Sequence, residues 1–94
     1  MRSKGNWALY KLVFTEGTKK EYAYLYHTNK KLFSRIRAAI RSIAENPYQG
    51  KPLKFTLKGR WSYRVGIYRI IYSIQERIIT VYILDIGHRR EIYR

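Results

Sequence analysis

The groups in this chain best placed to do chemistry are arginines set on short, apolar, strand-like runs near the C-terminus. Gly59-Arg60-Trp61-Ser62-Tyr63-Arg64-Val65-Gly66-Ile67-Tyr68-Arg69-Ile70-Ile71-Tyr72 is followed, one hairpin later, by Asp85-Ile86-Gly87-His88-Arg89-Arg90-Glu91-Ile92-Tyr93. A guanidinium is a planar fork of donors that matches two phosphate oxygens at once, and it does not deprotonate. Tyrosines beside it offer faces on which bases stack. Held on a sheet, such groups suit a phosphate-rich ligand, RNA above all. Arg69 carries this furthest, because it interrupts an apolar run where a charge is costly unless paired. It either pairs with a carboxylate, for which Asp85 is the candidate, or opens into an anion-binding cleft. On the preceding strand, alternation puts Trp61, Tyr63 and Val65 on one face and Arg60, Ser62 and Arg64 on the other. Those arginines form either a solvated outer face or the wall of that cleft.

Other chemistries find less support. His88 follows Gly87 beside two arginines, whose charge favours a neutral imidazole able to accept a proton; His27 reads as an exposed polar residue. No serine sits in a Gly-x-Ser-x-Gly elbow, and there is no glycine-rich phosphate loop. Scattered glutamates give no paired-carboxylate mechanism. Without cysteine there is no disulfide or thiolate chemistry, and two distant histidines make no metal site, so neither metal nor cofactor is expected.

The elements that must position the arginines follow from periodicity. Residues 9–14 read as a first strand, and Thr18-Lys19-Lys20-Glu21 fits a capping box opening a helix with Tyr22, Leu25 and Tyr26 on one side. A break at His27-Thr28-Asn29 precedes a clearer helix over 31–45. There Leu32, Phe33, Ile36, Ile40, Ile43 and Ala44 recur at spacings of three and four. Asn46-Pro47 stops it, since a residue before proline is driven out of the helical region. Residues 48–52 form a loop, and 53–57, 60–65, 68–74 and 78–86 read as strands, with Gln75-Glu76-Arg77 as a hairpin turn. The last strand is apolar on both parities and is expected to lie centrally with both faces covered. The expected fold is α+β: β-α-α-β-β-β(-β), a mostly antiparallel twisted sheet with two N-terminal helices on one face.

The 94 residues suit one domain, with 1–6 a frayed start. Hydrophobic content of 46% is enough to fold, and 20 Lys and Arg against 6 Asp and Glu leave a net charge of +14. So large an excess calls for an anionic partner: nucleic acid, an acidic protein or, as the weakest of the three, an anionic membrane. No apolar run approaches the roughly 20 residues of a spanning helix, and no signal-peptide core follows the basic start, so a cytoplasmic location is expected.

The Gly66-Ile67-Tyr68-Arg69-Ile70-Ile71-Tyr72 run, the apolar strand after it and the closing Ile86-Gly87-His88-Arg89-Arg90-Glu91-Ile92-Tyr93 together resemble the RelE/ParE toxin superfamily, the RelE branch more closely. Leu57-Lys58-Gly59 and Glu45-Asn46-Pro47 agree with it. The resemblance implies a microbial-ribonuclease-like fold and a toxin of a toxin–antitoxin pair. Such toxins enter the ribosomal A site and cleave messenger RNA by metal-independent attack of a 2′-hydroxyl. It implies Arg69 as holder of the scissile phosphate, Arg89 as transition-state and leaving-group residue, and Tyr93 as the residue that stacks on or orients a base. Arg60, Arg64, Lys58 and His88 are implied around the substrate. Two strand lysines of the family, one a proposed general base, correspond here to Arg60 and Ser62; the base is left to His88, Lys58 or Lys54. The implied partners are an acidic or amphipathic RelB-like antitoxin, the ribosome and messenger RNA. Two alternatives stay open: a ParE-like gyrase inhibitor without nuclease activity, and a non-catalytic basic nucleic-acid-binding domain.

Overall fold

The longest apolar stripe of the sequence makes the helix on which the sheet is built. In the computed structural model, which describes residues 9–88, the order is β1 (Lys11–Phe14), α1 (Glu16–Thr28), α2 (Lys30–Glu45), β2 (Lys51–Pro52), β3 (Trp61–Val65), β4 (Tyr68–Gln75) and β5 (Thr80–His88). Along α2, Leu32, Ile36, Ala39, Ile40, Ile43 and Ala44 are buried. All but Ala44 belong to one core with Ile70, Tyr72, Val81, Ile83 and Ile86 of the sheet. Each fully buried aliphatic side chain there contributes about 1.5–3 kcal/mol. Asn29 alone makes the break between helices: its N–H donates to Leu25 O at 2.8 Å, and its side chain accepts from Leu32 N at 3.1 Å. Asn46 caps the other end, ahead of Pro47.

The strand order is β1-β5-β4-β3-β2, with β1 parallel to β5 and the other pairs antiparallel. Both helices cover one face. The α+β expectation therefore holds, as do the helix over 31–45 and the strands at 60–65 and 68–74. Four local expectations need correction. Thr15, not Thr18, caps α1: the Thr15 side chain accepts from Thr18 N at 3.3 Å, and Thr18 lies buried in the first turn. Tyr26 is exposed, its ring under the Lys30 ammonium at 4.0 Å, while Tyr22 packs between Phe14 and Phe33. Residues 53–57 form no strand. Phe55–Leu57 is a 3-10 turn, and Phe55, at a φ of 56°, is 90% exposed. Pro52 ends β2 after two residues, and the chain must turn back to β3 within eight more.

The fourth correction concerns β5, which lies between β1 and β4 and begins at Thr80; Ile78 and Ile79 are exposed in the turn before it. Ile71 pairs with Asp85 but Tyr72 with Ile83, so Leu84 is an inserted bulge residue. The bulge brings Ile83 and Ile86 into the same core although they are three apart. Apolar residues on both parities thus record a bulge, and on the other face Tyr82 and Leu84 remain only half-buried.

At the turn end of the sheet, Glu76 accepts hydrogen bonds from Tyr10 at 2.8 Å and Tyr48 at 2.5 Å, tying β1, the segment after α2 and the β4–β5 turn together. These bonds, Tyr48 first, hold the Glu76 carboxyl below its ordinary value of 4.5. Burial, then the Glu76 bond, pushes the Tyr10 hydroxyl up to about 12. A lowered carboxyl stabilises the fold fully above its unfolded value and loses that contribution as pH falls through the folded one. A raised phenol holds its contribution below 10 and loses it as pH rises towards about 12. Glu76→Gln is accordingly expected to lower Tm at pH 7 and to converge with wild type below pH 4.5. A melting gap unchanged between pH 7 and pH 3 would contradict the clasp.

Candidate functional site

The face of the sheet away from the helices carries a cleft of about 810 Å³, lined by Gln49, Gly50, Lys51, Leu53, Ser62, Tyr63, Arg64 and Arg69. Its wall is built by register. Arg64 on β3 pairs directly with Arg69 on β4, and Ser62 pairs with Ile71. Residues opposite one another in an antiparallel ladder bring their Cβ atoms to about 4.5–5.5 Å, and like charges so placed are destabilising. Two arginines opposite one another on one side of a sheet would therefore be stabilised by an anion bound near both.

The hairpin joining β3 and β4 fixes this pairing. Val65 pairs with Tyr68, leaving a two-residue loop in which Gly66 takes a φ of 63°. A positive φ at the first loop position is what a II′ turn demands, and its twist suits the flanking strands. Arg64 leans along the hairpin, its Nε donating to Gly66 O at 3.5 Å. Arg69 is half-buried as the second residue of β4. Asp85 is exposed and makes no ion pair with Arg69; between described residues the ion pair present is Arg41 with Glu45. Arg69 lines the cleft.

The structure does not bring every anticipated residue here. His88 pairs with Tyr68, whose ring it meets edge-on at 6.0 Å, whereas Arg69 pairs with Gly87. His88 thus projects from the opposite side of β5 to the arginine pair. Lys54 and Lys58 flank the 3-10 turn as exposed residues and do not line the cleft. Arg60 is exposed just before β3, its backbone bonded to Leu53 and Leu57. Arg89 and Tyr93 lie outside the described residues. Lys51 and Gln49 line the cleft without having been anticipated, because no periodicity marks a two-residue strand; only the Gly50-Lys51-Pro52 sequence after the helix stop distinguishes them. Ser62, 4% exposed, is buried within the cleft wall.

Among the described residues no three His, Asp or Glu side chains gather where they could hold a metal ion, and no helix is long and apolar enough to cross a membrane. The cleft's means are positive charge and hydrogen bonding. It can hold a phosphodiester and stabilise extra negative charge on it, the requirement of in-line attack at phosphorus.

Comparison with known proteins identifies the family. Residues 12–93 match the family model for the ParE toxin of the type II toxin–antitoxin system parDE. The chain is 36% identical over 76 residues to toxin YoeB of Synechocystis, covering 76% of this chain and 88% of that protein. It is 43% identical over 70 residues to toxin RelG of Mycobacterium tuberculosis, covering 68% and 80% respectively. Among solved structures, the toxin–antitoxin complex RelBE2 of Mycobacterium tuberculosis contains a chain of similar fold. The TM-score is 0.77 at 27% identity, over 92% of this chain and 98% of that one. The protein therefore belongs to the RelE/ParE superfamily of toxins from type II toxin–antitoxin systems, on its RelE/YoeB side.

Proposed function

We propose that this toxin inhibits translation by cutting messenger RNA in the ribosomal A site. The observation that carries the reading is the Arg64–Arg69 pair, two arginines set opposite one another by a β-ladder and both lining an open cleft. In the reaction, the 2′-oxygen attacks the adjacent phosphorus and loses its proton. The bond from phosphorus to the 5′-oxygen breaks, and that oxygen takes up a proton. A cyclic phosphate and a 5′-hydroxyl result. Negative charge peaks on the phosphorane oxygens between those events, and Arg69, with Arg64 opposite, is placed to neutralise it. By the resemblance, Arg89 assists the leaving group and Tyr93 stacks on a base. The reaction calls on no metal and no cofactor, and its place is the cytoplasm, where messenger is translated.

An antitoxin completes the proposal. The RelBE2 structure is a toxin–antitoxin complex, and a chain of net charge +14 would steer an acidic segment to itself. An apolar groove floored by Leu12, Phe14 and Ile40 and rimmed by Arg37 and Arg41 has the chemistry to seat an amphipathic acidic helix. Co-expression with the product of a neighbouring acidic reading frame should restore growth and yield a hetero-oligomer. Continued growth arrest would remove that product as the partner.

Primer extension on messenger from a translating extract, with and without added protein, tests the nuclease reading. New 5′ ends at A-site codons, absent with an Arg64→Ala, Arg69→Ala double variant, are expected. Intact messenger would favour gyrase inhibition, the second reading. The matched family model names ParE, and Ser62 places no charge where RelE-type toxins carry a lysine. A supercoiling assay would then decide.

A further inference from the structure

The cation nearest the arginine pair in the cleft, and assigned no role so far, is Lys51. It sits on β2 directly across the ladder from Ser62. Cross-strand partners leave a sheet on the same side, so Lys51 shares the face of Ser62, Arg64 and Arg69, with which it lines the cleft. Ser62 and Arg64 are two residues apart on β3. At the rise of an extended strand this separates the Lys51 rung from the Arg64–Arg69 rung by about 7 Å. Neighbouring phosphates of an extended single strand are spaced similarly.

Its backbone is held firmly. A Cβ on Gly50 would lie 2.8 Å from Ser62 O and would overlap the Tyr72 hydroxyl, so β2 runs hard against β3 at the residue before Lys51. Pro52, which follows it, restricts the backbone of Lys51 itself. The ammonium itself is exposed, free to swing over the cleft on a flexible stem. Ser62 is short and lines the cleft together with Lys51.

We infer that Lys51 forms a second phosphate subsite: it takes the phosphodiester next to the one gripped by Arg64 and Arg69, so that the cleft binds two consecutive phosphates of single-stranded RNA. This rests on the reading of the cleft as an RNA site, but not on cleavage. The rung that Ser62 leaves uncharged on β3 is supplied with charge from β2. A competing account is that Lys51 only guards an exposed sheet edge, a common use of lysine on edge strands.

Binding of short, uncleavable 2′-deoxy-substituted RNA oligomers to the full chain, followed by fluorescence anisotropy from 50 to 200 mM salt, separates the two. For Lys51→Ala, the slope of log affinity against log salt should fall by about 0.7, one single-strand phosphate contact. Wild type should gain affinity when a dimer with one phosphate is extended to a trimer with two, and Lys51→Ala should lose that gain. Lys51→Arg should behave as wild type. Lys19→Ala, a change on α1 across the molecule, should leave both measures unaltered. An unaltered slope in Lys51→Ala, or a wild type that binds no oligomer, overturns the subsite. Messenger cleavage on ribosomes is read separately. Its absence with the Lys51 signature intact defeats the nuclease reading alone; its presence without that signature defeats the subsite alone.

Discussion

Arg69→Ala is expected to reduce messenger cleavage on the order of 10²–10³-fold, the cost of removing one preorganised donor from a developing oxyanion. Growth arrest should disappear with it while the variant stays folded. The reasoning starts from the strand. Arg69 is the second residue of β4, flanked by Tyr68 and Ile70, with Gly87 across one ladder and Arg64 across the other. Gly87 opposes it with no side chain, and Arg69 lines the cleft. Removing Arg69 also removes a like-charge contact with Arg64, which offsets the packing lost with its stem. The net change in stability should stay within about 1 kcal/mol.

Arg69→Lys distinguishes charge from geometry. An ammonium keeps the charge and loses the planar fork, so activity between wild type and alanine is expected, with most of the loss in kcat. A folded, fully toxic Arg69→Ala protein would remove this cleft as the catalytic site. Loss of toxicity with loss of near-ultraviolet circular dichroism would instead mark Arg69 as structural.

Legibility in the sequence tracked how local the determining physics is. The α2 stripe was plain because six core residues repeat within one element and Asn46-Pro47 ends it by backbone sterics. Arg69 was visible because a charge inside an apolar run has few explanations. Where the outcome depends on register, the pattern misleads. Gly87 and His88 are neighbours in sequence, yet they face opposite sides of β5, so His88 joins Tyr68 rather than the arginines. The Leu84 bulge made β5 resemble a strand covered on both faces. Leu53, Phe55 and Leu57 alternate like a strand but sit where the chain must turn. Lys51 was invisible for the same reason, since its place is set by pairing with a residue eleven positions away in sequence.

Gly50→Ala tests the junction at which fold and site depend on one another. Gly50 has a φ of −77° and a ψ of −167°, backbone that any residue adopts, so space and not conformation demands glycine here. The atoms that exclude a Cβ are a strand carbonyl, Ser62 O, and the hydroxyl of Tyr72. Neither yields easily. Tyr72 is fully buried, burial has pushed its phenol up to about 12, and its hydroxyl donates to Pro47 O at 2.7 Å. Alanine is expected to cost about 1–3 kcal/mol through overpacking, lowering Tm on the order of 10 °C for a chain of this size. Tyr72→Phe leaves Pro47 O without its donor and should also cost about 1–3 kcal/mol. In the double variant the hydroxyl overlap is gone while the Ser62 contact at 2.8 Å remains. The combined loss should therefore fall short of the sum by about 0.5–3 kcal/mol. Strictly additive melting temperatures would show that the two residues do not compete for one space. The same substitution reaches the site, because β2 displaced from β3 carries Lys51 away from the arginine rung. Weaker oligomer binding by Gly50→Ala, at temperatures where it is still folded, is the consequence; affinity equal to wild type would mean that β2 can move without disturbing the cleft.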